Sequence, residues 1–157
     1  MNKTYYLAYG SNLSVEQMER RCPEATYIGE SVLPNYHLLF KGSGTGSYLT
    51  VEKKKGSIVP VLVWEISSHD EFSLDRYEGY PSFYYKKWIP VHMQSLYDNQ
   101  ELGKIRGLIY VMHEERTCGC PYFSYYKTCL EGYERFGFDP GILRQALIDS
   151  IGKSNTD

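Results

Sequence analysis

The chain has 157 residues, 42% of them hydrophobic, and a formal charge of -2, a size that holds one globular core and not two. With no basic run beyond Lys53-Lys54-Lys55, it lacks the electrostatic footprint of a nucleic-acid binder. No segment has the apolar length of a membrane span or a secretory leader, so a soluble, cytoplasmic chain is expected.

Lys3 to Tyr9, rich in Tyr, Leu and Ala, predicts a first strand that runs into the polar turn Gly10-Ser11-Asn12. Ser14-Val15-Glu16-Gln17 has capping-box spacing and predicts a helix to about Cys22, stopped by Pro23. Two strand segments follow, Tyr27–Leu33 and Tyr36–Lys41, with Pro34-Asn35 reading as a bend or bulge because proline forfeits a ladder hydrogen bond. The stretch from Gly42 to Ser47 reads as a flexible loop. Tyr48–Glu52 and Ile58–Ile66 read as a hairpin whose tip is Lys53–Ser57.

Ser68-His69-Asp70-Glu71 repeats the capping-box spacing and opens a short helix carrying Phe72, Leu74 and Tyr77, ended by Gly79. Ser82–Gln94 and Lys104–His113 read as strands, with Tyr97-Asp98-Asn99 in the turn between them. Glu114–Phe123 reads as an irregular loop, followed by a helix from Ser124 to about Phe136. A last helix is capped by Asp139, has Pro140 at its first position and runs to about Ile148. Residues 1–150 are expected to form a single domain and 151–157 a polar tail. The order of elements, with helices inserted among strands, implies an α+β fold: a small, mostly antiparallel β-barrel or curled sheet with flanking helices. Closure would remove exposed strand edges and leave a mouth for a ligand.

Two strings carry the chemistry. In Tyr9-Gly10-Ser11-Asn12, a strand enters a turn whose backbone N–H groups suit a small anion. In Asp75-Arg76-Tyr77-Glu78-Gly79, a helix end sets one carboxylate beside tyrosines. Glu78 is then a candidate proton shuttle, against the alternative of a solvated glutamate paired with Arg76 or Lys86. Gly10 reads as a turn residue with positive φ that also admits close ligand approach. Asp75, one helical turn before Glu78, either tunes the glutamate, or faces water or braces the helix end. The surplus of tyrosines, 16 in all, suits a pocket both dry and hydrogen-bonding, although most serve the strands that favour them.

Cys22, Cys118, Cys120 and Cys129 are not spaced as a disulfide framework. Cys118-Gly119-Cys120 lacks the second ligand pair that zinc requires. His37, His69, His92 and His113 show no metal or triad spacing, and Ser11 lacks a nucleophile elbow, so no metal or serine-hydrolase site is expected.

Tyr9-Gly10-Ser11-Asn12, then Gln17-Met18-x-x-Arg21-Cys22-Pro23, then Leu74-Asp75-Arg76-Tyr77-Glu78-Gly79-Tyr80, and the closing Tyr125-x6-Gly132-x4-Gly137 resemble the γ-glutamylcyclotransferase-like (AIG2-like) family, in the same order from Tyr5 to about Leu147. The resemblance implies a small barrel, no cofactor, and release of 5-oxoproline from a small-molecule γ-glutamyl amide. It implies that backbone around Tyr9, Gly10, Ser11 and Asn12 binds the γ-glutamyl moiety and that Glu78 is the general acid/base. It places pocket tyrosines at Tyr84 (Tyr85 as the one-residue alternative), Tyr110 and Tyr125, the last suited to a lid. It is compatible with a homodimer and favours γ-glutamyl amino acids over isopeptides. Removal of a γ-glutamyl cap from a specialised, aminoglycoside-like amine is the alternative substrate, and a non-catalytic binding domain is the alternative class.

Overall fold

The computed structural model describes residues 3–43 and 46–154. Strand β1 (Thr4–Ala8) leads through a 3-10 turn (Ser11–Leu13) into helix α1 (Val15–Arg21). Two long strands follow, β2 (Thr26–Ser43) and β3 (Gly46–Ile66), then helix α2 (Ser68–Glu78). Strands β4 (Tyr84–Gln94) and β5 (Glu101–Met112), the two-residue β6 (Thr117–Cys118), and helices α3 (Phe123–Phe136) and α4 (Pro140–Ser154) complete the chain.

The sheet order is β3-β1-β5-β4-β2-β6, and β2 also pairs with β3, which closes five strands into a barrel and leaves β6 attached outside. All pairings are antiparallel except β1 with β5, where Tyr6 lies opposite Leu108. Tyr6, Leu7 and Ala8 are consecutively buried because β1 has protein on both faces. The core joins Leu7, Leu62, Val63, Leu108 and Ile109 of the barrel to Leu13, Met18, Leu74, Tyr133 and Leu143 of the turn and helices. Each large aliphatic side chain buried there contributes about 1.5–3 kcal/mol.

Three expectations about β2 and β3 are corrected. Lys53–Ser57 is not a hairpin tip: Tyr36 pairs with Lys53 and Pro34 with Ile58, so residues 54–57 bulge opposite Asn35 within one long strand. Asn35 takes φ 64, Gly56 takes φ 86, and the Gly56 amide donates to Asn35 Oδ1 at 3.0 Å. Such a bulge interrupts the alternation of a strand and so reads as its end. The two segments around Pro34-Asn35 are likewise one strand carrying that irregularity. Finally, Gly42 pairs with Ser47 and Ser43 with Gly46, so most of the expected Gly42–Ser47 loop is ladder; positions 44 and 45 lie outside the described residues.

The helices depart less. Ser14 caps α1 by accepting from the Gln17 amide at 3.3 Å, but Gln17 Oε1 is buried without a partner, so only half of the capping box forms. The box of α2 starts one residue earlier than expected, on Ser67 and Asp70. Helix α4 continues through Ser154, four residues into the expected tail; 155–157 lie outside the described residues. Ser150 of α4, fully buried, accepts from the Phe40 amide at 2.8 Å and so satisfies a donor on β2.

Among the described residues no helix is long and apolar enough to cross a membrane. Cys22, Cys120 and Cys129 are free thiols. His69 stands with Glu24 and Asp70 within 4.8 Å, a cluster the sequence spacing did not suggest. Both Asp70 oxygens already accept amides, from Glu24 at 3.4 Å and from Ser67 at 3.2 Å, so this cluster is a helix start.

Candidate active site

The turn after β1 is built by short hydrogen bonds. Leu13 N donates to Gly10 O and Ser14 N to Ser11 O, each at 3.0 Å, so the amides of Ser11 and Asn12 precede the first bond of the turn. Gly10 does not have the expected positive φ; it sits at φ -132, ψ -126, outside the regions open to residues with a side chain. A Cβ there would also lie 3.4 Å from both Leu49 Cδ1 and the Tyr125 hydroxyl. From behind, α3 presses on the turn: a Cβ on Gly132 would stand 2.5 Å from Leu13 Cβ.

Asn12, 3% exposed, locks this turn to the barrel. Its Nδ2 donates to the Tyr6 hydroxyl at 2.9 Å, its carbonyl accepts from Trp64 Nε1 at 3.1 Å, and its Oδ1 accepts from Arg21 at 2.5 Å. The Arg21 guanidinium in turn lies 3.3 Å over the Tyr77 ring.

Glu78 arrives from the other side as the last residue of α2. Gly79, at φ 66, ψ 35, turns the chain away, and the amides of Gly79 and Tyr80 close on Arg76 O at 3.3 Å and Asp75 O at 2.9 Å. Glu78 thus sits at a helix C-terminus, where the backbone dipole disfavours a carboxylate. It keeps partial access to solvent through the cavity, yet protein crowds the carboxyl group, and desolvation by burial pushes its pKa up to about 7, with Arg21 as the opposing influence. Among the described residues no hydrogen bond engages its carboxylate, and neither Arg76 nor Lys86 pairs with it. Lys86 is taken instead by Glu71 at 2.7 Å and Asp75 at 2.8 Å.

Turn and glutamate share one cavity of about 380 Å³. All eight residues singled out from sequence line it: Tyr9, Gly10, Ser11, Asn12, Glu78, Tyr84, Tyr110 and Tyr125. Tyr85 does not; its hydroxyl donates outward to Glu114 at 2.5 Å.

The tyrosine hydroxyls are largely committed to protein. Tyr84 donates to Leu49 O at 2.8 Å, Tyr125 accepts from Leu49 N at 3.0 Å, and Tyr9 donates to Tyr110 O at 2.7 Å. The Tyr110 hydroxyl donates to Asp75 Oδ1 at 2.5 Å. Asp75 therefore braces the Tyr110 ring and anchors Lys86. Burial raises the pKa of Tyr6, Tyr9, Tyr84 and Tyr125, so these phenols stay neutral beside Glu78.

Sequence reasoning missed several lining residues: Tyr6, Tyr48, Leu49, Arg76, Tyr77, Gly79 and Phe83. Tyr6 carries a usable signal, since it lies on β1 three residues before Tyr9. Tyr48 and Phe83 carry none, because the closure that brings them here depends on β3 and β4 pairing elsewhere. Arg21 was visible in the motif, but its contacts were not.

The family model "Gamma-glutamyl cyclotransferase, AIG2-like" matches residues 6–135. A bovine gamma-glutamylcyclotransferase is 34% identical over 87 residues, a match spanning 51% of this chain and 46% of that relative, which is less than half of its length. A solved structure named gamma-glutamyl cyclotransferase superposes with a TM-score of 0.76 at 25% identity, covering 92% of this chain and 86% of the other. An uncharacterized human protein gives 0.73 at 25% identity over 93% and 87%. A yeast cyclotransferase described as specific to glutathione shares the fold, with a TM-score of 0.65 over 98% and 97% of the two chains, at 9% identity.

Proposed function

This chain belongs to the AIG2-like gamma-glutamyl cyclotransferase family, and from that premise we propose that it releases 5-oxoproline from a γ-glutamyl amide, with Glu78 carrying the protons. The observation that supports this most directly is the pairing of Glu78, pushed up to about 7, with the open amides of the Ser11-Asn12 turn in one cavity.

The substrate carries its own nucleophile. Its α-amine attacks the γ-carbonyl carbon, a C–N bond forms to close a five-membered lactam, and the original amide C–N bond breaks. The protein therefore has chiefly to hold the glutamyl chain folded and to move protons. Glu78 as carboxylate takes a proton from the α-ammonium and, as acid, delivers it to the departing nitrogen; the second proton, shed by the ring nitrogen on closure, leaves with the released amine as its ammonium. A group that titrates near working pH serves both steps.

Amides around Gly10, Ser11 and Asn12 hold either the substrate α-carboxylate or the oxyanion of the tetrahedral intermediate. The tyrosine hydroxyls act less directly. Tyr84, Tyr125 and Tyr9 fix Leu49 and the barrel wall, while their rings exclude water. None of these steps routes a charge through a cofactor or a metal.

Incubation with γ-Glu-Ala and with a γ-glutamyl polyamine, followed by mass spectrometry for 5-oxoproline, tests the reading. Product from the dipeptide supports it; product from the polyamine alone moves the substrate to a specialised amine. Absence of product from both favours a binding domain of the same fold.

A further inference from the structure

Resting on that reading, we infer that the departing group is an amino acid bearing a free carboxylate and an aromatic or large apolar side chain, and that Arg76 is the residue that selects it. The cavity is graded from inside to outside. Tyr6, Tyr9, Asn12, Tyr84 and Tyr110 are all buried to within 8% of full exclusion, whereas Tyr48 is 41% and Tyr77 is 49% exposed.

Glu78, partly buried and next in sequence to the exposed Tyr77, lines the same cavity as the inner tyrosines. A γ-glutamyl group bound there on the turn amides directs the amide nitrogen past Glu78 and the remainder of the substrate toward the open end.

The open end has a definite chemistry. Tyr48 packs edge-on against Phe83, with ring centroids 6.4 Å apart, and against Tyr125 at 5.1 Å. These rings leave part of an aromatic wall facing the mouth, and an aromatic or apolar side chain gains both area and ring contacts there.

The charge at this end is positive. Arg76 lines the cavity, is exposed, and has no ion pair among the described residues. Arg116 lies 4.0 Å from the centroid of the Phe83 ring, its Nε buried and without a hydrogen-bond partner. Among the described residues the sole acid in the cavity lining is Glu78. An amine with a second positive charge meets Arg76 and, among the described lining residues, no outer carboxylate, whereas an amino acid offers its carboxylate to Arg76.

Steady-state kinetics with the full chain on γ-Glu-Phe, γ-Glu-Ala, γ-glutamyl-phenethylamine and γ-glutamylputrescine test this, with 5-oxoproline as the readout. γ-Glu-Phe is expected to give the highest kcat/KM, and its decarboxylated counterpart γ-glutamyl-phenethylamine about two- to fivefold less, the worth of one exposed ion pair. Arg76→Gln is expected to shrink that ratio toward one by raising KM for the two dipeptides. Tyr48→Ala is expected to narrow the preference for γ-Glu-Phe over γ-Glu-Ala. Turnover of the phenethylamide or the putrescine amide equal to that of γ-Glu-Phe overturns the inference and leaves the cyclotransferase reading standing. So does an Arg76→Gln variant that slows all four substrates alike. No 5-oxoproline from any of the four overturns both.

Discussion

The guanidinium of Arg21 lies 3.3 Å over the ring of Tyr77, the residue immediately before Glu78, while also donating to Asn12 Oδ1. One cation from α1 therefore holds both the end of α2 and the turn after β1. Its charge opposes the desolvation that raises the Glu78 pKa. In Arg21→Gln that opposition disappears, so the Glu78 pKa moves further up. The limb of the pH–rate profile set by Glu78 is expected to shift to higher pH; a limb that stays in place or moves down contradicts the coupling.

Glu78→Gln retains shape and loses proton transfer. Turnover of γ-Glu-Ala is expected to fall by about a hundredfold or more. Affinity for 5-oxoproline, measured by calorimetry, is expected to stay within a few-fold, since the turn amides are untouched. Unchanged turnover would assign the shuttle to another group.

The same variant has a stability signature. An unfolded glutamate ionises near 4.5, while Glu78 in the fold holds its proton to about 7. Between these values the folded state binds more protons than the unfolded one, so this residue's contribution to stability falls as pH rises through that window. Glutamine never ionises. Glu78→Gln is therefore expected to melt higher than the parent at pH 8, with the gap closing toward pH 5. A gap that widens on acidification has the wrong sign for a buried, uncompensated carboxylate.

Gly132 tests the support behind the turn. Alanine is the better helix former by about 1 kcal/mol, but its Cβ would lie 2.5 Å from Leu13 Cβ, and neither atom is the end of a flexible chain. Overpacking is expected to win, with Gly132→Ala destabilised by about 1–3 kcal/mol in urea titrations and reduced in activity. A midpoint raised by helix propensity alone would show that α3 can slide away from the turn.

Tyr84 and Tyr85 separate cleanly. Tyr84→Phe deprives Leu49 O of its 2.8 Å donor and leaves it the 3.4 Å contact from Tyr9, so a loss of about 1 kcal/mol is expected in chemical denaturation. Tyr85→Phe affects an exposed bond to Glu114 outside the cavity, and turnover is expected to stay at the parental level. Equal effects on turnover from the two variants would return the ambiguity between neighbours.

The legible parts of this chain are those governed by neighbours in sequence. Helix α2 is announced by its serine cap and its glycine stop, and the α4 start by Asp139-Pro140, because capping satisfies amides only a few residues away. The errors fall where pairing is long-range. A run of lysines beside Gly56 looks like a tip until β2 is laid against it; only then does Asn35 explain the bulge. Strand alternation reports a buried face, not a partner, so it placed Tyr84 and Tyr110 on strands without saying where their hydroxyls go.

By itself the sequence determined the candidate residue types, their spacing and the glycines that end helices, since these follow from local geometry and side-chain chemistry. Tertiary structure alone decided that Glu78 would be partly desolvated with no hydrogen-bond partner among the described residues, and that Arg21 would reach both strings of the site. Desolvation and charge are properties of surroundings, and the surroundings of Glu78 come from segments far apart in the chain, assembled only when β2 closes on β3.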